Sequence, residues 1–85
     1  MPEYTITITK TAQKQLDKLS DQVVAPLLEN IAALAKNPRP PGCKKLKGRD
    51  GYRIRQGDYR IIYDIHDKVL IVQVIGVGNR KDVYE

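Results

Sequence analysis

The alternation of apolar and polar positions changes its period twice along the chain. Residues 3–9 alternate strictly, with one tyrosine and two isoleucines facing one way and three threonines the other, which is typical of a half-buried strand. Over residues 10–19, and again up to Lys36, the apolar positions recur at helical spacing and predict two helices. From residue 51 to 84 the period returns to two, which predicts three consecutive antiparallel strands.

Capping residues and prolines set the expected ends of the helices. Thr9 or Thr11 can cap the first helix, and Ser20-Asp21 interrupts the helical pattern. Proline deep inside a helix costs a hydrogen bond, so we expect Pro26 in the first turn and regular helix from about residues 22–24. Asn37-Pro38 ends the second helix, because the residue before proline avoids the helical region.

Two short turns set the expected register of the three strands. Gly57-Asp58 and Asp67-Lys68 both have the composition of two-residue hairpin turns. If Gly57-Asp58 is the whole turn, Arg55 lies directly opposite Arg60. The sequence therefore predicts an α+β fold: an N-terminal strand, a helical hairpin and a three-stranded antiparallel meander, with the helices covering one face of one sheet.

The strand period divides the meander into two faces with different chemistry. The face expected to be covered by the helices is apolar and holds Tyr52, Ile54, Tyr59, Ile61, Tyr63, Ile65, Leu70, Val72 and Val74. The other face carries Arg53, Arg55, Arg60, Asp64 and His66, mixed with Ile62, Ile71, Gln73 and Ile75. Like charges directly opposite one another destabilise a sheet, so a ligand is expected to supply the opposite charge. Guanidinium groups with planar donor geometry suit a phosphate.

Composition and charge narrow the function classes. At 85 residues the chain is expected to form a single domain, residues 1–85. It contains no apolar run long enough to span a membrane and no visible secretory signal, and its one cysteine fits a reducing cytoplasm. The net charge is +5, and a basic segment with Lys44, Lys45, Lys47 and Arg49 leads into the meander. This density favours a polyanionic partner, either nucleic acid or an acidic protein.

The chain offers few conventional catalytic groups. No metal-ligand spacing and no phosphate-binding glycine loop is visible, so neither a metal nor a cofactor is expected. His66 is interpreted as an exposed turn residue unless the turn curls over the arginines, and Cys43 as an ordinary thiol. Arginines can neutralise a phosphodiester and stabilise the charge of its transition state. RNA supplies its own nucleophile, the 2′-hydroxyl, so the protein does not have to provide one. Tyr84 could stack on a base, and Arg80 could approach the arginines from the strand end. Plain nucleic-acid binding, or docking of an acidic partner, remains an alternative.

Two blocks of the meander carry a family resemblance. The runs YRIRQGDYRIIYDIHD and VLIVQVIGVGNRKDVY, preceded by the KKLKG segment, resemble the RelE/ParE superfamily of bacterial toxins, on its RelE side. The resemblance implies a ribosome-dependent endoribonuclease that cuts mRNA in the A site without a metal and is held inactive by an antitoxin wrapped around it. The family's catalytic positions correspond to Arg53, Arg55, Arg60, Arg80 and Tyr84. Lys45 and Lys47 match a basic segment that can contact ribosomal RNA.

This chain departs from the family pattern at three positions. Arg53 and Arg55 stand where relatives often have lysine, and Asn79 where many have histidine. Arginine is a poor general base and asparagine cannot shuttle a proton, so we expect catalysis mostly by electrostatics and alignment. The alternatives are a ParE-like inhibitor of DNA gyrase and a nucleic-acid-binding module without activity. An acidic antitoxin is expected to dock on a mixed face with exposed Ile62, Ile71 and Ile75.

Overall fold

The computed structural model describes residues 3–79, which form five strands and two helices, with the helices packed as one layer against one sheet. In chain order the elements are β1 (Thr5–Ile8), α1 (Lys10–Asp17), α2 (Asp21–Ala33), β2 (Lys44–Lys45), β3 (Tyr52–Gln56), β4 (Tyr59–His66) and β5 (Ile71–Asn79). The sheet order is β1-β5-β4-β3-β2, with β1 parallel to β5 and all other pairs antiparallel. The predicted fold class is therefore confirmed. Two features were not predicted, namely the short strand β2 and the parallel pairing of β1.

The helices differ from the prediction at their ends. Thr9 caps α1, accepting a hydrogen bond from the Ala12 amide at 3.1 Å. Helix α2 already begins at Asp21, so the prediction that Pro26 lies in its first turn is wrong. The lost backbone hydrogen bond is outweighed because α2 buries Leu27 and Ile31 against the sheet. After Ala33 the backbone continues in tighter turns to residue 36, which explains why the sequence predicted a longer helix.

The core lies between the helices and one face of the sheet, as predicted. The helices contribute Ala12, Leu16, Leu27, Ile31 and Leu34, and the sheet contributes Ile54, Ile61, Tyr63, Val72, Val74 and Val77. All of these side chains are at most 7% exposed. In the residues that the structure describes, neither helix combines the length and apolar content required to cross a bilayer.

The two hairpin turns turned out differently. Gly57-Asp58 is a two-residue turn, so Gln56 pairs with Tyr59 and Arg55 with Arg60, as predicted. The second connection spans residues 67–70 rather than Asp67-Lys68 alone. Leu70 adopts a φ of 54° there and Val69 is 63% exposed, so both belong to the turn. A β-bulge opposite Ile62/Tyr63 then shifts the register of β5 against β4.

Helix α1 takes over the sheet edge where β1 stops. Strand β1 pairs with β5 only as far as Val74, and β5 continues to Asn79. The Gln15 side chain accepts a hydrogen bond from the Val77 amide at 2.7 Å, in the place of the missing strand. This contact satisfies a backbone donor that would otherwise be left at the edge. It also holds α1 beside the end of β5.

Candidate functional site

The strand register brings the predicted basic residues onto one face of the sheet. Arg55 is the ladder partner of Arg60, and Arg53 is the partner of Lys44 on one side and of Ile62 on the other. Because paired residues share a face, Lys44, Arg53, Arg55 and Arg60 all lie on the side away from the helices. We call these four residues the basic face. Its continuation on β5 is formed by Gly76 and Gly78, so no β5 side chain stands beside Arg60 or Ile62 in the ladder.

The three arginines of the basic face differ in exposure. Arg55 is exposed, Arg60 is half-buried and Arg53 is only 7% exposed. The Nε atoms of Arg53 and Arg60 are fully buried. Packing along the stem limits the rotamers available to Arg53 and Arg60. The basic face therefore combines two cations whose stems are packed with one that is exposed.

The apolar part of this face is less exposed than the sequence suggested. Ile62 is only 5% exposed, so its predicted exposure is wrong. It lies in the middle of a row, between Arg53 on β3 and Gly76 on β5. Ile71 and Ile75 are half-buried. The face is therefore more strongly dominated by charge than predicted.

The predicted RNA-contacting lysines split between the two sides of the sheet. Lys45 pairs with Tyr52 and not with an arginine, so it points away from the basic face that Lys44 joins. Lys47 and Arg49 are exposed on the loop that follows. This loop is anchored by the buried Leu46, whose amide donates to the Gly51 carbonyl at 2.9 Å.

A different arginine forms a charge network at the far end of the sheet. Arg39 makes an ion pair with Asp67 at 2.9 Å, and Tyr4 donates to the same carboxylate at 2.6 Å. Hydrogen bonding to Arg39, and then to Tyr4, lowers the pKa of Asp67, and the hydrogen bond to Asp67 raises the pKa of Tyr4. Arg39 also lies over the Tyr52 ring, 5.4 Å from its centroid. These contacts connect β1, the proline connector and the β4–β5 turn.

His66 and Cys43, which were also considered from the sequence, differ in their exposure. His66 is exposed next to the β4–β5 turn, as expected. Cys43 is half-buried and packs against the core. Beside it the Tyr63 hydroxyl donates to the Pro38 carbonyl at 2.7 Å, and burial raises the pKa of Tyr63. Tyr63 thus fixes the connector to the sheet, a role that its place in an alternating strand did not reveal.

The predictions for Arg80 and Tyr84 concern residues outside the described part of the chain. Their predicted approach to the basic face therefore remains a prediction. Within residues 3–79, the site consists of guanidinium and ammonium groups, and no cluster of three or more His, Cys, Asp or Glu side chains there has metal-site geometry. Such a surface can bind, neutralise and orient a phosphodiester.

These features define a class: a small α+β domain with helices on one face of its sheet and clustered arginines on the other. Residues 6–84 match the family described as the ParE toxin of the type II toxin–antitoxin system parDE. The chain therefore belongs to the RelE/ParE toxin superfamily of type II toxin–antitoxin systems.

Individual relatives support the same assignment. The chain is 31% identical over 83 residues to toxin RelG of Mycobacterium tuberculosis, covering 95% of both proteins. It is 32% identical over 81 residues to the mRNA interferase toxin RelE of Escherichia coli K12, covering 92% of this chain and 84% of the relative. The toxin in the archaeal RelE–RelB complex of Pyrococcus horikoshii superposes with a TM-score of 0.83 at 30% identity, covering 95% of this chain and 99% of that chain.

Proposed function

We propose that this toxin is an mRNA interferase: a ribosome-dependent endoribonuclease that cuts mRNA in the A site and stops translation in the cytoplasm. The observation that carries the proposal is the direct pairing of Arg55 with Arg60 on the open face of the sheet. Two guanidiniums side by side on one face can hold a single phosphate through their planar donor groups. The similarity to the mRNA interferase toxin RelE of E. coli supports the same activity.

The proposed chemistry assigns complementary roles to the basic face. Arg53 and Arg60, which packing holds in place, position the scissile phosphate, and the exposed Arg55 closes on it. The adjacent 2′-hydroxyl loses its proton and attacks the phosphorus, the bond from phosphorus to the 5′-oxygen breaks, and that oxygen leaves with a proton. The products are a 2′,3′-cyclic phosphate and a 5′-hydroxyl end, and the guanidiniums stabilise the additional negative charge of the transition state. Arg80 and Tyr84 complete the site in this proposal, with Tyr84 next to the reacting oxygens. No metal takes part in this proposed route.

The remaining basic residues are proposed to hold the toxin on the ribosome. Lys45, Lys47 and Arg49 line the loop beside β3, away from the Arg55–Arg60 pair, and Lys44 lies between the two regions. Phosphate contacts of this kind add affinity without reading sequence. Removing them is expected to weaken ribosome binding and to leave the position of the cut within the codon unchanged.

The proposed partner is an acidic antitoxin that wraps this chain and blocks the basic face. Structural relatives include RelE–RelB complexes from P. horikoshii and E. coli, which supports an antitoxin partner here. The charge of +5 favours an acidic segment. Co-expression of the neighbouring antitoxin gene should restore growth, and continued growth arrest despite a formed complex would contradict blocking.

The experiment is to induce the chain alone and map mRNA ends by primer extension on translated and untranslated transcripts. We expect codon-positioned cuts on translated mRNA that disappear with Arg60→Ala and persist with Arg39→Ala. Arg39 is the matched control because it is also an arginine beside the sheet and lies at the opposite end, in an ion pair with Asp67. Intact mRNA together with altered DNA supercoiling would instead support inhibition of DNA gyrase, the activity considered as the alternative.

A further inference from the structure

A recess of about 530 Å³ opens at the end of the sheet opposite the Arg55–Arg60 pair. Its walls include Arg39, Lys45, Arg49, Tyr52, Asp64 and His66. A volume of this size is within the range of small-molecule sites, which is about 300–1,000 Å³. Asp64 and His66, which line this recess, belong to the open face but have no role in the proposed cleavage mechanism.

The recess exists because β4 is longer than its partner β3. The last β3–β4 pair is Tyr52–Tyr63, after which β4 continues to His66. Next to Asp64 the chain passes at Gly51, which has a φ of 128°. A Cβ atom at this position would lie 3.0 Å from Asp64 Oδ1 and 3.0 Å from Leu46 Cδ1. Glycine therefore permits both the turn and the close approach, and Asp64 remains accessible from the recess.

The lining groups match the parts of a nucleotide. Lys45 and Arg49 supply cations suited to a phosphate. Arg39 also lies in the wall, but its guanidinium is engaged by Asp67 and is not assigned to the ligand. Asp64 is half-buried and its carboxylate oxygens accept hydrogen bonds, such as those from the amino group of cytosine. Tyr52 and Ile65 provide apolar wall for the flat body of a base. The carboxylate would repel a phosphate ion that carried no base, and a purely apolar ligand would offer the cations no counter-charge.

The recess and the basic face can be reached by one RNA strand. Asp64 follows Arg60 by four residues on the same face of β4, which is about 13 Å at 3.3 Å per residue. Stacked nucleotides advance about 3.4 Å each, so the separation corresponds to about four stacked nucleotides, or fewer in an extended strand.

We propose that this recess binds one nucleotide of the RNA substrate near the cleaved phosphate, and that Asp64 favours a base with an exocyclic amino group over uracil. The inference deepens the proposed function and rests on it for the identity of the substrate. It adds a specificity-determining residue outside the basic face. The cations Lys45 and Arg49 hold the phosphate irrespective of the base, whereas Asp64 distinguishes between bases.

The test is a titration of the full chain with CMP and with UMP, followed by amide NMR. We expect shifts at Lys45, Asp64 and His66 and about tenfold tighter binding of CMP than of UMP. Asp64→Asn, which keeps the shape, should abolish this preference. Lys45→Ala should weaken both nucleotides equally, and Lys14→Ala, at an exposed lysine of α1 outside the recess, should change neither affinity. Equal binding of both nucleotides, shifts confined to the basic face, or no binding would overturn the proposal.

A second readout separates this inference from the proposed function. If the chain cuts mRNA, Asp64→Asn should redistribute the cut sites toward uracil-containing contexts. If the chain cuts no RNA but the CMP preference holds and depends on Asp64, cleavage is refuted and the nucleotide recess stands. If cleavage occurs and Asp64→Asn alters neither the cut sites nor nucleotide binding, only the recess is refuted.

Discussion

Arginines at the two ends of the open sheet are arranged differently. At one end Arg55 faces Arg60 across the β3–β4 ladder. At the other end Arg39 is joined to Asp67 by two hydrogen bonds, at 2.9 and 3.3 Å, and Tyr4 binds the same carboxylate. The Arg39 end connects three segments of the chain. The Arg55–Arg60 end places two like charges side by side, which is expected of a surface that binds an anion.

The arginines at the two ends also differ in how deeply they are buried. Arg39 is 45% exposed at its side chain, and solvent screens its ion pair, so the pair contributes little to stability. Arg53 is 7% exposed and lies on the same face as Arg55 and Arg60. A cation held under its neighbours is oriented before a ligand arrives, and preorganised charge stabilises a transition state at a lower reorganisation cost. Position in the ladder, rather than residue type, therefore distinguishes the two kinds of arginine.

The largest expected effect is on catalysis, from the single and double alanine variants of Arg55 and Arg60. Each single substitution should slow mRNA cleavage in a purified translation system about 100-fold. If both guanidiniums contact the same phosphate, the double variant should lose much less than the product of the two single losses. Fully multiplicative losses would show that the two arginines act on different groups.

A stability effect of intermediate size is expected from Tyr63→Phe. The substitution leaves the buried Pro38 carbonyl without its donor, the Tyr63 hydroxyl at 2.7 Å. We expect a loss of about 1–2 kcal/mol in the free energy of unfolding, measured by urea denaturation. Tyr52→Phe is the matched control, because the Tyr52 hydroxyl accepts only a 3.4 Å contact from Arg39 near the surface. An equal loss in both variants would contradict the assigned role of Tyr63.

Reversing the charge of Arg60 gives the Arg55–Arg60 end an opposite-charge pair, like that of Arg39 and Asp67. Arg60→Glu replaces a like-charge pair with an opposite-charge pair across the ladder. The reference is Arg60→Gln, which removes the charge without reversing it. We expect the free energy of unfolding of Arg60→Glu to exceed that of Arg60→Gln by about 0.5 kcal/mol, with RNA cleavage lost in both. A lower stability of Arg60→Glu than of Arg60→Gln would argue against a cross-strand charge interaction with Arg55.

The smallest expected effect is the pH dependence contributed by Asp67. Its pKa in the folded chain is lowered, first by the hydrogen bond to Arg39 and then by that to Tyr4. Its stabilisation should be complete above the ordinary aspartate pKa of about 3.9 and disappear as the pH falls through the lowered value. The melting temperature of the wild type should therefore exceed that of Asp67→Asn at pH 6, and the two should converge once the pH has fallen below the lowered pKa. The difference should shrink in high salt, and a pH-independent difference would contradict this origin.

Local patterns predicted the parts of the fold that depend on neighbours in sequence. Gly57-Asp58 sets the β3–β4 register, and the register alone places Arg53, Arg55 and Arg60 on one face. The second turn was mispredicted because Val69 and Leu70 extend an apolar run, and apolarity does not distinguish a strand from a turn with a positive φ.

Features that depend on distant contacts could not be predicted. Strand β2 has two residues, too few for any periodicity, and exists because it pairs with β3. The hydrogen bond from the Val77 amide to Gln15 joins residues 62 positions apart. The burial of Arg53 and the recess at Asp64 likewise depend on how the strands end and where the loops pass.

The most direct test measures cleavage rate and free energy of unfolding for Arg60→Ala and Arg39→Ala on the same protein preparations. We predict that Arg60→Ala loses about 100-fold in cleavage, a loss out of proportion to any change in its stability. We also predict that Arg39→Ala keeps the wild-type cleavage rate and becomes slightly less stable. If the two variants lose activity and stability in parallel, the arginines at the two ends of the sheet do not have the distinct roles assigned to them.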